Sequence, residues 1–168
     1  FPSIYKVSKV TPLLKKSSLD PILPSSYRPV NQLIGLSKIL ERCVFGQLVK
    51  YLEDNSLLHP NQHGGRSGHS TATTLIQMHN QWMEDLEDGK IVALTLVDQS
   101  AAFDVCNHSI IEGKLRLLGL NSVEWVTSYL SGRTQSTSIG AALSSSLTLP
   151  PASVVQGGVG SGILYNVM

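Results

Sequence analysis

The sequence predicts a mixed α/β fold, and three observations carry that expectation. Two stretches in the first half place apolar residues at helical spacing. Residues 91–97 form a short, apolar, β-branched run. Residues 134–139 and 147–155 alternate more loosely and suit paired strands. The chain has 168 residues, 42% hydrophobic and 15% charged, which is enough for a packed core and too apolar for disorder. It opens on Phe1 and closes on the uncapped apolar stretch Ile163–Met168, so a piece of a longer polypeptide is expected.

Each element has its own warrant. Pro2, Pro12, Pro21, Pro24 and Pro29 make the first thirty residues a region of turns and extended segments, with a short edge strand near Lys9–Leu14. Residues 37–53 read as a helix with Ser37 as N-cap and a buried face of Ile39, Leu40, Cys43, Val44, Leu48 and Leu52. After a loop over 55–68, Ser70 or Thr71 caps a second helix running to about Leu86, with Leu75, Met78, Trp82 and Leu86 on one face. Ile91–Val97 reads as a strand covered on both faces. Ile110–Leu118 reads as a helix ended by Gly119, and 122–130 as another around Trp125.

Charge and cysteine content narrow the function classes. Residues 1–50 hold eight Lys and Arg against two acidic residues, and residues 51–98 hold two against seven. A basic N-terminal third suits phosphates, from nucleotide or nucleic acid, although some of these lysines suit plain solvated faces equally. Cys43 and Cys106 lie far apart without CxxC spacing, so neither a zinc site nor a disulfide framework is supported, and both read as buried small hydrophobes. The five histidines show no ligand spacing. No run of about 18 apolar residues is present, so no membrane span is expected.

Three segments carry chemistry. In Val97-Asp98-Gln99-Ser100-Ala101-Ala102-Phe103-Asp104, a carboxylate follows the strand-like run, where α/β sheets open to a crevice. A divalent metal is one natural partner for such a carboxylate, and capping of the next turn is the other reading. In Val155-Gln156-Gly157-Gly158-Val159-Gly160-Ser161-Gly162, glycines let backbone approach a ligand, or simply loosen a loop. The pattern is not a P-loop, because GxxxxGK[ST] is absent. In Gln62-His63-Gly64-Gly65-Arg66-Ser67-Gly68-His69-Ser70-Thr71, Arg66 and the helix start suit an anion, or a solvated loop.

In this order, the segments resemble the reverse transcriptases of non-LTR, LINE-like retrotransposons. Pro12-Leu13-Leu14-Lys15-Lys16 and Ser26-Tyr27-Arg28-Pro29-Val30 are similar to that family's first fingers motifs. Leu36-Ser37-Lys38-Ile39-Leu40-Glu41-Arg42 is similar to the helix after them, and Gln62–Thr71 to Q-F-G-F-R-x-G-x-S-T. Asp98–Asp104 is similar to D-x-S-x-A-F-D, and Gln156-Gly157 to P-Q-G. The resemblance implies a right-hand polymerase, with fingers over 1–90 and part of the palm over 91–168, its antiparallel sheet packed on helices.

It also implies roles. Asp98 would ligate Mg²⁺ or Mn²⁺, joined by the backbone carbonyl of Gln99, in two-metal nucleotidyl transfer. Phe103 would lie under the incoming sugar and reject a 2′-OH. Arg28 and Lys15 would hold the triphosphate, and Lys16 and Arg66 the nucleic acid. Gln156 and Gly157 would shape the nucleotide and template pocket. Asp104 would be structural. The partners implied are an RNA template, a DNA primer, dNTP and the rest of a parent polyprotein: the remaining palm, a thumb and an endonuclease domain. A nuclear or cytoplasmic setting is implied, and no membrane. The family's aromatic-Ala-Asp-Asp motif is expected beyond Met168, which leaves this chain inactive alone. Val155, Gly158, Gly160, Gly162 and Gly65 depart from the usual residues and suggest a decayed or incomplete copy. A catalytically dead nucleic-acid-binding relic is the main alternative. A metal-dependent phosphatase-like fold with Asp98 as nucleophile is weaker, because Ser100 stands where a second acid is wanted.

Overall fold

The computed structural model describes residues 1–99 and 101–168; Ser100, inside the Asp98–Asp104 motif, lies outside the described residues. The expected mixed α/β class holds. The elements are β1 (Val7–Leu14), β2 (Tyr27–Gln32), α1 (Gly35–Asp54), α2 (Thr71–Glu87), α3 (His108–Leu117), α4 (Glu124–Leu130), β3 (Thr134–Ile139), β4 (Ala142–Leu143), β5 (Leu147–Thr148) and α5 (Ser161–Val167).

The sheet is mixed rather than antiparallel throughout. Its order is β2-β1-β3-β4, with β5 also paired to β3. β1 and β2 form an antiparallel hairpin from Lys9 opposite Gln32 to Leu14 opposite Tyr27. β1 runs parallel to β3, but only over Val7–Val10. The expected edge strand is therefore half central. From Thr11 onward β1 has β2 alone as neighbour, and Pro12 falls in that stretch, where its missing N–H breaks no second ladder. The expected pairing of the 134–139 and 147–155 stretches is present in shorter form, as Thr134 opposite Thr148 and Gln135 opposite Leu147.

The core is helical. Phe45, Leu48 and Leu52 of α1 meet Ile111 and Leu115 of α3, Val126 and Tyr129 of α4, and Ile163 and Leu164 of α5. α1 thus packs on elements from the C-terminal half, on the other side of the boundary expected near residue 90. The face α1 buries is the expected one in part, with Leu48 and Leu52 buried and Leu40 and Val44 half-buried, but it is rotated at its N-terminal end. The buried residues are Ser37, Glu41, Phe45, Leu48 and Leu52, whereas Ile39 and Cys43 are exposed. Glu41 is fully buried because three donors meet its carboxylate: the Ser37 hydroxyl at 3.3 Å, the Tyr129 hydroxyl at 3.2 Å and the Val159 N–H at 2.8 Å. A helix turns its charged residue inward only where such partners wait.

α2 meets its expectation and the 91–97 segment does not. α2 starts where expected, with Ser70 accepting from the Thr73 N–H in a capping box, yet it buries no residue, and Leu75 and Leu86 stand in solvent. Ile91–Val97 is irregular and exposed, with Ile91 96% and Val97 87% accessible. A strand exists only by pairing its backbone groups. Among the described residues, no strand of the sheet pairs with 91–97. Asp98 therefore follows an exposed irregular segment and not a buried strand.

Close neighbours explain the glycines at 158 and 160. A Cβ on Gly160 would run into the Phe45 ring, and one on Gly158 would crowd the Tyr129 hydroxyl and Ser161 Oγ. Both glycines are packing requirements of this chain rather than losses of definition. Gly160→Ala is expected to destabilise by roughly 1–3 kcal/mol, the usual cost of overpacking, in a urea or thermal melt. Adding Phe45→Leu is expected to recover part of that loss.

Candidate nucleic-acid interface

The Gln156–Gly157 turn is held from below and from the side. Gly157 has φ +87, a left-handed conformation that side chains resist. The Gly158 N–H closes the turn on the Val155 carbonyl at 3.0 Å. The Ser161 hydroxyl donates to the same carbonyl. Just beyond, Glu41 takes the Val159 N–H. The side chain of Gln156 is left exposed above this scaffold.

A cleft of about 320 Å³ opens beside the turn. Gln156, Asp104, Asn31 of β2, Gln135 of β3 and Ser153 are among the residues lining it. The Asn31 Oδ1 atom is buried there with no hydrogen-bond partner, so one acceptor on this wall is unused. Arg28 lies three residues before Asn31 on β2, and it is exposed. Lys15 and Lys16 follow β1 at the hairpin tip. Lys15 closes the tip, its Nζ donating to the Ser25 carbonyl at 2.8 Å. Arg28, Lys15 and Lys16 are exposed on the hairpin and none of them lines the cleft; Pro29 and Asn31 do, so the alternation of β2 turns Arg28 to the other face, and the cleft itself gathers Gln156 with Asp104.

The Asp98 motif is anchored at its far end. The Phe103 carbonyl accepts the Val154 N–H at 2.8 Å, and the Phe103 ring sits 5.6 Å from the Tyr165 ring. The Tyr165 hydroxyl donates to Gln99 Oε1 at 2.7 Å. Ala101 has φ +54, which a non-glycine residue adopts at some cost. Tyr165 escaped the sequence reading, in which it was one more residue of a terminal apolar stretch. Glu41 escaped it too, since a charged residue on a helix is expected outside. Asp104 is exposed, its N–H bonded to the Ala101 carbonyl at 2.8 Å, which agrees with a turn role.

Asp98 is exposed and does not line the cleft. Its carboxylate and the Gln99 carbonyl are hard oxygen donors, right in kind for Mg²⁺. They are too few for an octahedral shell, and among the described residues no three His, Cys, Asp or Glu side chains converge. The residues present therefore do not fit a resident metal pair.

Arg66 has a different task from the one expected. Its Nε and Nη2 donate to the two Glu53 oxygens at 3.0 and 2.7 Å, and its Nη1 to the His59 carbonyl at 3.1 Å. The fork holds the Glu53 carboxyl below its usual pKa and raises that of Arg66. Gln62 and Asn166 bond each other at 3.1 Å, and both reach the Gly64 carbonyl. His63 bonds Thr73 and Gln77 of α2. The 62–71 loop is thus a polar tie between α1, α2 and α5, with most of the guanidinium N–H groups of Arg66 used inside it. Among the described residues, no helix is long and apolar enough to cross a membrane.

These features define a class before they define relatives. A model of the reverse transcriptase (RNA-dependent DNA polymerase) family matches residues 13–168, and the chain belongs to that family. Within it, the chain is 29% identical over 168 residues to the RNA-directed DNA polymerase from mobile element jockey of Drosophila melanogaster, covering 99% of this chain and 18% of that relative. It is 27% identical over 166 residues to the probable RNA-directed DNA polymerase from transposon X-element of the same organism, covering 98% and 18%. A third relative, the probable polymerase from transposon BS, is 27% identical over 118 residues, covering 70% and 13%. The motif-based resemblance to non-LTR reverse transcriptases agrees with these matches. The chain spans less than a fifth of these relatives' length. The family typically uses a divalent metal, and it implies template and primer as partners.

Because Arg66 is occupied by Glu53, Arg66→Ala is expected to lower the melting temperature and to expose residues 59–69 to limited proteolysis. It should leave the salt dependence of any RNA binding unchanged. The depressed Glu53 pKa gives the pH sign. The tie is complete above the ordinary carboxylate pKa and weakens as pH falls through the lowered one. Melting curves of parent and variant should therefore converge only in acid.

Proposed function

We propose that this chain is the template- and nucleotide-facing portion of an RNA-directed DNA polymerase of the non-LTR type. In that reaction the primer 3′-oxygen attacks the α-phosphorus of a dNTP, a P–O bond forms, and pyrophosphate leaves. The observation that carries the reading is the cleft where Gln156 meets the β2 wall, beside a basic hairpin, in a chain of this family.

The residues divide the work by their chemistry. Arg28, with Lys15 and Lys16, suits the triphosphate and the nucleic-acid backbone, because a guanidinium offers bidentate donors to phosphate oxygens. Gln156 is exposed on a turn whose glycine lets backbone approach a base pair closely. A side chain at Gly157 would reach the Asn31 carbonyl only at ordinary contact distance, so it is the positive φ that calls for glycine here. Phe103 is proposed as the ring beneath the sugar, held by Tyr165. Asp98 and the Gln99 carbonyl are proposed as two of the oxygen donors that Mg²⁺ or Mn²⁺ would take in a longer polymerase. A donor set of that size leaves the 168-residue chain able to bind and unable to join nucleotides.

Two measurements test this. Purified chain given primed RNA template, dNTPs and Mg²⁺ is expected to give no extension, and template-dependent product would refute the donor count. RNA affinity is expected to fall with salt, and Arg28→Ala to reduce the slope of log affinity against log salt by about 1. An unchanged slope would remove Arg28 from the interface.

A further inference from the structure

We infer that Glu41 is the positioning residue of the Gln156–Gly157 turn, acting through the Val159 N–H and the Tyr129 hydroxyl, so that a buried carboxylate on α1 sets where the turn meets template and nucleotide. The inference rests on the polymerase reading above and adds to it a residue that touches no substrate.

The geometry is specific. Glu41 is 0% exposed. One carboxylate oxygen, Oε2, accepts both the Val159 N–H at 2.8 Å and the Tyr129 hydroxyl at 3.2 Å. The other, Oε1, faces the Ser37 hydroxyl at 3.3 Å, while Ser37 also reaches the Ile34 carbonyl at 2.8 Å. Val159 lies three residues after Gln156, just before Gly160, whose missing side chain lets Phe45 of the same helix press against the loop. Two side chains of α1, one turn apart, therefore fix the loop: Phe45 by shape and Glu41 by an N–H it alone accepts.

A buried carboxylate is costly unless it is bonded. The cost is met here by donors from three places and by a nearby cation. Arg133 is buried, its guanidinium 4.8 Å above the Tyr129 ring, its Nη1 donating to the Tyr129 carbonyl at 2.8 Å. Its Nε and Nη2 have no partner, which leaves their charge unneutralised by any direct contact. Arg133 lies over the Tyr129 ring and Glu41 takes its hydroxyl, and the phenol is pushed above its ordinary range, first by burial and next by Glu41. An apolar residue at 41 would fill the same space, but would leave the Val159 N–H without an acceptor. That partly buried donor, left without its acceptor, would then favour another turn conformation.

The test compares two substitutions by amide exchange and by binding to a 3′-recessed DNA primer on an RNA template. Glu41→Gln should keep slow exchange at Val159 and near-parent affinity, because its carboxamide oxygen accepts the same two donors and its NH₂ faces Ser37. Glu41→Met should speed exchange at Val159 by about tenfold, the worth of one lost hydrogen bond, with the core amide of Leu164 unchanged. Its duplex affinity should fall about fivefold through the disordered turn. If Glu41→Met does not fold, Val159→Pro removes the same N–H with the carboxylate intact and should show the same fall. Unaltered Val159 exchange in Glu41→Met, or parent-like affinity in the variant that folds, would overturn the inference. A parent chain that binds no duplex would instead sink the polymerase reading, and the exchange comparison alone would still decide whether Glu41 holds the turn.

Discussion

One buried carboxylate constrains much of this molecule. Removing the Glu41 charge from water is tolerable only because α1, α4 and the glycine turn each bring a donor to it. That requirement sets the rotation of α1 about its axis. Once Glu41 points inward, Phe45, Leu48 and Leu52 follow it into the core, and Ile39 and Cys43 turn to solvent. Phe45 then needs room, which Gly160 supplies. Helix rotation, the glycine spacing and the seat of the 156–160 turn are therefore one solution rather than three.

The consequence for function is a division between rigid and unsupported parts. The turn with Gln156 is braced by the helical core, and its neighbour on the cleft wall, β2, belongs to a hairpin continuous with the sheet. The Asp98 motif is braced, among the described residues, by the Phe103 carbonyl on the Val154 N–H and by Gln99 on the Tyr165 hydroxyl. The segment leading into it, 91–97, carries strand chemistry and has no strand neighbour among the described residues. The Gln156 turn and the Asp98 segment thus differ in how firmly this chain holds them.

What the sequence made legible follows from how local each determinant is. Ser70 and Thr73 cap α2 through bonds spanning three residues, so the start of that helix could be read directly. Gly119, with φ +89, ends α3 by a backbone conformation that glycine favours on its own. The order of family motifs was equally readable, and the family match covers it. What could not be read depends on distant partners. Glu41 looks like a surface residue until Tyr129 and Val159 are placed beside it, 88 and 118 residues away. Ile91–Val97 looks like a buried strand because apolar, β-branched residues suit one, yet a strand is a property of two segments. Arg66 looks like a phosphate ligand until Glu53 is found in its fork. In the site, Gln156 and Gly157 were visible as a motif, whereas the bracing beneath them was not.

The most direct test of the central claim is where the chain touches nucleic acid. A primed RNA template carrying a photoreactive base at the primer terminus, irradiated with the chain and mapped by mass spectrometry, reads that contact without requiring catalysis. Adducts confined to the β1–β2 hairpin and to residues 153–158 are the expected result. Adducts on α2 or spread over the surface, with none at the hairpin or the Gln156–Gly157 turn, would contradict it.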